Sequence, residues 1–274
     1  MAITMADIQS LRKRTGAGMM DCKNALTEAE GDFDKAIEII RKKGQAFAAK
    51  RSDRDASEGC VLATVKDGFA AIVALKCETD FVAINADFVG LTKTILNAAI
   101  DNKPADLNAL NAIQVDGRSI ADLVTDRMGI TGEKMEIGIY EQIIAPTVIS
   151  YVHPGNKLAT IVGFSKPNVD EQVAKDVAMQ IAAMNPVALT PDEVSEETKQ
   201  KELEIAKEKA REAGKPENIL DKIAEGALVK FYKEYTLLQQ EFIKNPKQTV
   251  AQYLAAYDKD LAVTGFKRYT LNAE

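Results

Sequence analysis

The chain has 274 residues, of which 46% are hydrophobic and 28% are charged, a composition typical of a folded globular protein. A net charge of −6 excludes an overall attraction to nucleic acid, and no apolar run reaches the ~18 residues that a membrane-spanning helix needs. The length predicts two or three domains. No apolar signal region follows Met1, the three cysteines form no close-spaced set, and their odd number argues against a disulfide framework. We therefore expect a cytoplasmic protein.

The first part of the chain, up to about residue 45, has the apolar spacing of three short helices. Gly16 separates the first two helices, Asp32 can cap the third, and Gly44 is predicted to end it. Residues 46–59, with the sequence AFAAKRSDRDASEG, are then predicted to form a hinge or linker.

A β-hairpin with an Asp-Gly turn at Asp67 and Gly68 is predicted next, and a long helix that carries Phe88 follows it. The same order of hairpin and helix recurs later, which predicts two related α+β halves. The predicted elements are strands at 60–65, 69–77 and 135–144, helical pieces within 105–132, strands at 146–152 and 158–164 around a turn at 154–156, and a helix at 173–182.

Residues 191 to about 231 alternate Glu and Lys, and their small apolar residues fall at coiled-coil spacing. We predict an antiparallel helical hairpin in which Leu203, Ala206, Ala210 and Ala213 form the seam and Ile219, Leu220, Ile223 and Ala227 form the return face. A helix at 250–257 and a last strand after it, which could complete the second sheet, close the chain.

The predicted fold class is therefore α+β: a three-helix N-terminal bundle, two related halves with antiparallel sheets, and an inserted antiparallel coiled-coil hairpin. The predicted domains are the bundle at 1–53, the first core half at 54–145, the second core half at 146–190 and 235–274, and the hairpin at 191–234.

Catalytic and cofactor motifs are missing from the sequence. His153 is the only histidine and falls in a predicted hairpin turn, so His-rich metal sites are excluded. Neither a phosphate-binding loop nor a dinucleotide fingerprint is present. We expect no enzyme activity, no cofactor and no direct nucleotide binding, and an interaction protein becomes the leading class.

One short segment does not fit a purely structural reading. In LKCETDFVAI, residues 75–84, an aspartate and a phenylalanine stand together where a strand ends and a helix begins. By itself Phe81 would be read as a core residue, and Thr79 with Asp80 as a helix start. Neither interpretation explains why the side chains of Asp80 and Phe81 should both be exposed at the surface.

Four motifs resemble blocks of the bacterial elongation factor Ts family, in the same order along the chain. They are LRKRTGAGMMDCKNAL at 11–26, CETDFVA at 77–83, LLQQEFIKNPKQTV at 237–250 and VTGF at 263–266. The resemblance covers nearly the whole chain. It implies a guanine-nucleotide exchange factor that acts on the GTPase elongation factor Tu in its GDP-bound form, and a bundle similar to ubiquitin-associated domains.

The resemblance also implies which residues contact the GTPase. The turn at Thr79, Asp80, Phe81 and Val82 would enter near its magnesium site, with Phe81 between partner side chains and Asp80 disturbing the contacts that position the ion. Further contacts would come from Arg12 and from exposed Met19 and Met20 in the bundle, and from His153 and Gly155 at the hairpin tip.

The sequence departs from the family pattern at several positions. Ala74, Lys76 and Ile84 stand where the second motif usually has Glu, Asn and a basic residue, and Glu241 replaces a usual proline. Residues 154–157 (PGNK) replace a more glycine-rich turn ending in arginine, and a helical tail that some members carry is expected to be absent.

Two other functions stay open at this point. A nucleic-acid-binding module of the translation machinery could use the basic segment 41–54, although nucleic acid is not the expected partner. An enzyme using carboxylate chemistry lacks a paired set of acids in the sequence. The 191–234 hairpin could contact the partner, or it could join two copies into a homodimer or a 2:2 complex.

Overall fold

The computed structural model describes residues 3–272. Its first part is a helical bundle of α1 (Met5–Thr15), α2 (Met19–Glu28) and α3 (Phe33–Lys50). Thr4 begins α1 with a capping box, and Gly16 ends it with a left-handed φ of 71°. The bundle has its own apolar core, which comprises Ile8, Leu11, Ala17, Cys22, Ala25, Leu26, Ala29 and Ala36.

The first core half begins with a hairpin of two nine-residue strands. Asp67 and Gly68 take left-handed φ angles of 49° and 72°, as the predicted turn requires. In chain order its elements are β1 (Glu58–Lys66), β2 (Phe69–Cys77), α4 (Asp80–Ala83), α5 (Ala86–Asn102), α6 (Leu107–Ala112), β3 (Gln114–Val115), β4 (Arg118–Ser119), α7 (Ile120–Thr131) and β5 (Met135–Ile144). The small hairpin of β3 and β4 lies where only helical pieces were predicted.

The second core half repeats the opening hairpin and carries the helical hairpin as an insertion. Its elements are β6 (Thr147–Val152), β7 (Leu158–Phe164), α8 (Glu171–Met184), a 3₁₀ turn (Pro191–Glu193), α9 (Glu196–Glu212), a 3₁₀ turn (Glu217–Ile219), α10 (Leu220–Tyr235), β8 (Glu241–Phe242), β9 (Asn245–Thr249), α11 (Val250–Tyr257) and β10 (Val263–Thr270).

Both halves share one topology. In residues 3–272 the larger sheets have the strand orders β1-β2-β5 and β10-β7-β6, and all of their pairings are antiparallel. In each sheet, two strands form a hairpin, and the third strand returns after the helices to pair with the second. This arrangement confirms the α+β class, and the two halves repeat the same order of strands.

The two sheets pack face to face. Their shared core comprises Val61, Ala70, Ile72, Ala74, Ala159 and Ile161. The sheets approach so closely at Gly163 that a Cβ there would lie 2.9 Å from the side chains of Ile143 and Ala145. Helices α5 and α7 cover the outer face of the first sheet, and α8 and α11 cover that of the second. The central strand of each sheet is therefore buried on both faces.

Helix α3 does not end at Gly44, as predicted, but continues to Lys50. Gly44 is buried against α7, where a Cβ added to Gly129 would lie 2.9 Å from the Cα of Gly44. Phe47 and Ala48 then pack against the core of the first half. The prediction of a linker is therefore wrong for its first residues, which form a helix docked on the core.

The inserted α9 and α10 form a helical hairpin that turns at Gly214, which has a φ of 72°. Ser195 caps α9 through a hydrogen bond from the Thr198 N–H. Ala210 is buried, but Ala213 and Ile219 are exposed. The predicted seam therefore ends before Ala213, and the return face begins at the buried Leu220 rather than at Ile219.

Candidate partner-binding site

The candidate site is the turn between β2 and α5, and we call residues 79–82 the wedge turn. Helix α4 is one turn long, and Thr79 is its N-cap, with its Oγ1 accepting a hydrogen bond from the Val82 N–H at 3.4 Å. The carboxylate of Asp80 accepts a hydrogen bond from the Phe81 N–H at 2.9 Å. The turn therefore ends the strand and starts the helical segment over very few residues.

One side of the wedge turn faces the core and the other faces outwards. Ala83 is buried and Val82 is half-buried against the core of the first half. Phe81 is 79% exposed and Ile84 is 75% exposed. The reading of Phe81 as a core residue is thus excluded. Two large apolar side chains instead lie at the surface, three positions apart.

Glu133 holds the wedge turn from the side of α7. Its Oε1 accepts the hydroxyl of Thr79 at 2.6 Å, and its Oε2 accepts the N–H of Thr79 at 3.0 Å and that of Glu78 at 3.2 Å. No local sequence pattern indicates this contact, because Thr79 and Glu133 lie 54 positions apart.

Glu78, directly before the wedge turn, connects it to the end of α3. Its carboxylate accepts hydrogen bonds from Arg51 at 2.9 Å, Arg54 at 3.1 Å and the backbone N–H of Lys134 at 2.7 Å. The hydrogen bond from the Lys134 N–H is the largest cause that lowers the pKa of Glu78 from 4.5 to about 2. The two arginines lower it further, whereas desolvation by burial acts in the opposite direction. Glu78 is consequently a fixed anion at neutral pH.

Behind the turn, Cys77 is fully buried. Burial, reinforced by the Glu133 carboxylate, raises the pKa of its thiol to about 12. The thiol donates towards the Thr79 carbonyl at 3.2 Å. This cysteine is protonated at neutral pH, so it packs the site rather than acting as a nucleophile.

The predicted contacts of the bundle lie at its surface, with one exception. Arg12 is exposed and Met20 is 63% exposed. Met19 is half-buried and packs against the core of the bundle, so its predicted exposure is wrong. It begins α2, and its side chain turns towards the apolar interior.

The tip of the β6–β7 hairpin contains the remaining predicted contacts. His153 and Gly155 are exposed, and Gly155 has a φ of 93°. The Nδ1 of His153 lies 2.9 Å from the hydroxyl of Tyr151. The Asn156 carbonyl accepts the N–H of Val61 at 2.7 Å, so the tip is tied to the first sheet.

Comparisons with known proteins identify the family. The family model described as Elongation factor TS matches residues 78–273. Elongation factor Ts of Porphyromonas gingivalis is 64% identical over 275 residues, that of Azobacteroides pseudotrichonymphae is 57% identical over 274, and that of Bacteroides fragilis is 50% identical over 331. In each case both chains are covered completely. The chain belongs to the elongation factor Ts family.

Membership of the elongation factor Ts family makes the chain a translation elongation factor and confirms the resemblance read from the four motifs. The family model begins at Glu78, so it contains the wedge turn but not the bundle. The full-length relatives extend the similarity over the bundle as well. The wedge turn therefore lies within the part of the chain that both comparisons match.

The basic segment 41–54, all of which the structure describes, is partly neutralised within this elongation factor Ts chain. Four of its cations lie beside carboxylates: Lys42 beside Glu38, Lys43 beside Asp21, and Arg51 and Arg54 beside Glu78. These pairs remove part of the charge that a nucleic-acid backbone would need, which weakens the support for the alternative function.

In residues 3–272, no group of three His, Cys, Asp or Glu side chains is placed to hold a metal ion. No helix in that range is long and apolar enough to cross a membrane.

Proposed function

We propose that the protein is a guanine-nucleotide exchange factor for elongation factor Tu, and that Phe81 is the side chain that opens the nucleotide site. The observation that carries this proposal is a phenylalanine that is 79% exposed on a turn tied to the core. Leaving such a side chain in water has no benefit for the folded chain alone, whereas burial in a partner contributes about 2–3 kcal/mol.

The wedge turn acts on the partner's magnesium ion rather than on a bond. Phe81 enters between partner side chains, and the exposed carboxylate of Asp80 disturbs the polar groups that position the ion. Mg²⁺ requires nearly ideal octahedral geometry, so a small displacement weakens its hold on the nucleotide phosphates. No covalent step occurs, and the protein needs neither a cofactor nor a nucleotide of its own.

The other exposed positions supply affinity. Arg12 and Met20 present the bundle to the GTPase, and an adaptable methionine suits such a docking surface. His153 and Gly155 at the hairpin tip form a separate contact. Because α3 is docked on the core, the bundle and the wedge turn reach the partner as one unit.

Thermodynamic linkage restricts how the exchange proceeds. If the factor weakens the affinity of the GTPase for nucleotide, the nucleotide must weaken the affinity for the factor by the same free energy. A complex of all three then loses either component readily, so exchange is fast in both directions. The relative concentrations of GTP and GDP set its direction.

Release of labelled GDP from elongation factor Tu tests the proposal. Substoichiometric protein should accelerate release, because each molecule acts repeatedly, and the isolated protein should bind labelled GDP only at background. Unchanged release would refute exchange activity. Salt-sensitive RNA binding together with unchanged release would instead favour the nucleic-acid-binding function.

A further inference from the structure

The wedge turn is too short to be stable on its own. Helix α4 has only four residues, Asp80–Ala83, and isolated helices of this length are unstable in water. Phe81 is 79% exposed, so contacts of its own ring do not fix its direction. The rest of the chain can therefore fix only the backbone of residues 78–82, which sets the direction of the Phe81 Cα–Cβ bond.

Glu133 provides that restraint. It accepts hydrogen bonds from two consecutive backbone N–H groups and from the hydroxyl of Thr79, the residue that caps α4. A carboxylate that accepts several hydrogen bonds makes stronger ones than a neutral acceptor. The hydrogen bonds therefore connect Glu133 to Thr79, and Thr79 to the N–H of Val82. Thr79 and Val82 lie on either side of Phe81 in the chain, so both ends of the segment that carries Phe81 are held.

Glu133 is itself in a defined place. It follows Gly132, which ends α7 with a left-handed φ of 75°. Its N–H donates to the Thr131 hydroxyl at 3.3 Å. The chain continues into β5, which pairs with β2 along its whole length. The acceptor is thus attached both to the helix and to the sheet that flank the wedge turn.

We propose that Glu133 is the positioning residue of this exchange factor: it fixes the backbone that carries Phe81, and with it the direction in which the Cα–Cβ bond of Phe81 leaves the surface towards the GTPase. The inference rests on the proposed exchange function. Glu133 touches neither nucleotide nor magnesium, and its effect passes entirely through the wedge turn. A backbone segment that is already ordered loses less conformational freedom when its side chain enters a partner, so the restraint favours both entry and the opening of the nucleotide site.

The central experiment is a double-mutant cycle of Glu133→Ala and Phe81→Ala, read as the maximal rate of stimulated GDP release at saturating factor. Misplacing a reactive or inserting group by about 1 Å can cost on the order of 100-fold, so we expect Glu133→Ala to slow release roughly 10- to 100-fold. In a protein that already carries Phe81→Ala, the same change should have almost no further effect.

Conservative and control variants separate positioning from general damage. Glu133→Gln keeps an acceptor for the two N–H groups and should retain most of the rate. Glu136→Ala removes a nearby carboxylate that pairs with Lys76 and Lys134 instead, and it should match the unsubstituted protein. If Glu133→Ala fails to fold, Thr79→Val decides the question, because it removes only the 2.6 Å hydroxyl contact and the cap.

Backbone hydrogen exchange in the isolated protein provides a readout that needs no partner. The amides of Glu78, Thr79 and Val82 should exchange faster in Glu133→Ala than in Glu136→Ala. An unchanged release rate in Glu133→Ala, or losses that add to those of Phe81→Ala, would overturn the positioning role. Failure of the unsubstituted protein to stimulate release would refute the exchange function itself, which is a different result.

Discussion

Truncation of Phe81 to alanine should leave the fold nearly as stable as before. A fully buried phenylalanine side chain covers about 150–250 Å². Phe81 is 79% exposed, so roughly a fifth of that area, on the order of 40 Å², is removed from water. At about 25 cal/mol per Å² the loss is ~1 kcal/mol. Phe88, 1% exposed in the same half, should instead lose ~3–5 kcal/mol on the same change.

Urea unfolding and GDP release, measured on the same preparations, separate stability from function. Phe81→Ala should unfold near the midpoint of the unsubstituted protein but stimulate GDP release far less. Phe88→Ala should show a much lower midpoint, yet its remaining folded fraction should stimulate release. Equal losses of stability in the two variants would show that Phe81 is packed. Normal release by folded Phe81→Ala would show that it is not the opening side chain.

Two further perturbations examine how the bundle and the turn are attached. Gly129→Ala places a Cβ 2.9 Å from the Cα of Gly44, so the helices must separate and the variant should lose ~1–3 kcal/mol in urea unfolding. Gly90→Ala is the control, because no atom lies within 4 Å of a Cβ added at Gly90, and its free energy of unfolding should rise by up to ~1 kcal/mol. Equal urea midpoints for the two variants would disprove the close contact between α3 and α7. Glu78 has a pKa of about 2 in the folded protein and an ordinary pKa of 4.5. Between these two values the unfolded chain binds more protons than the folded chain, so the free energy of unfolding decreases as the pH falls from 4.5 towards 2. Glu78→Gln should flatten that decline in urea midpoints, and an identical pH profile would contradict the role of Glu78.

Local signals were sufficient for much of the fold. Strand Met135–Ile144 has the bounds that its alternating pattern predicted, and the turn at Asp67 and Gly68 has the predicted left-handed angles. Gly44 was misread because glycine disfavours helices locally, and only the contact with Gly129 explains a glycine in the middle of α3.

The candidate site was less accessible to sequence reasoning. Composition and periodicity favour burial for a phenylalanine, and the expectation that Phe81 is exposed came from family resemblance alone. Glu133 carries no recognisable motif, and its partner Thr79 lies 54 positions away. Such long-range hydrogen bonds depend on how α7 and β5 return to the first hairpin, which a local pattern does not encode.

The two sheets, although alike in topology, should be completed at very different times as the chain leaves the ribosome. The first sheet has all of its strands once Ile144 has emerged, whereas β7 waits for Val263–Thr270. Until then its free edge could pair with another chain. The helical hairpin α9–α10, which is emerging meanwhile, depends on local contacts and can form early. Slower synthesis between α10 and β10 should therefore favour aggregation of nascent chains. The first half, which has already folded, opposes this effect because it offers an apolar face against which β6 and β7 can pack.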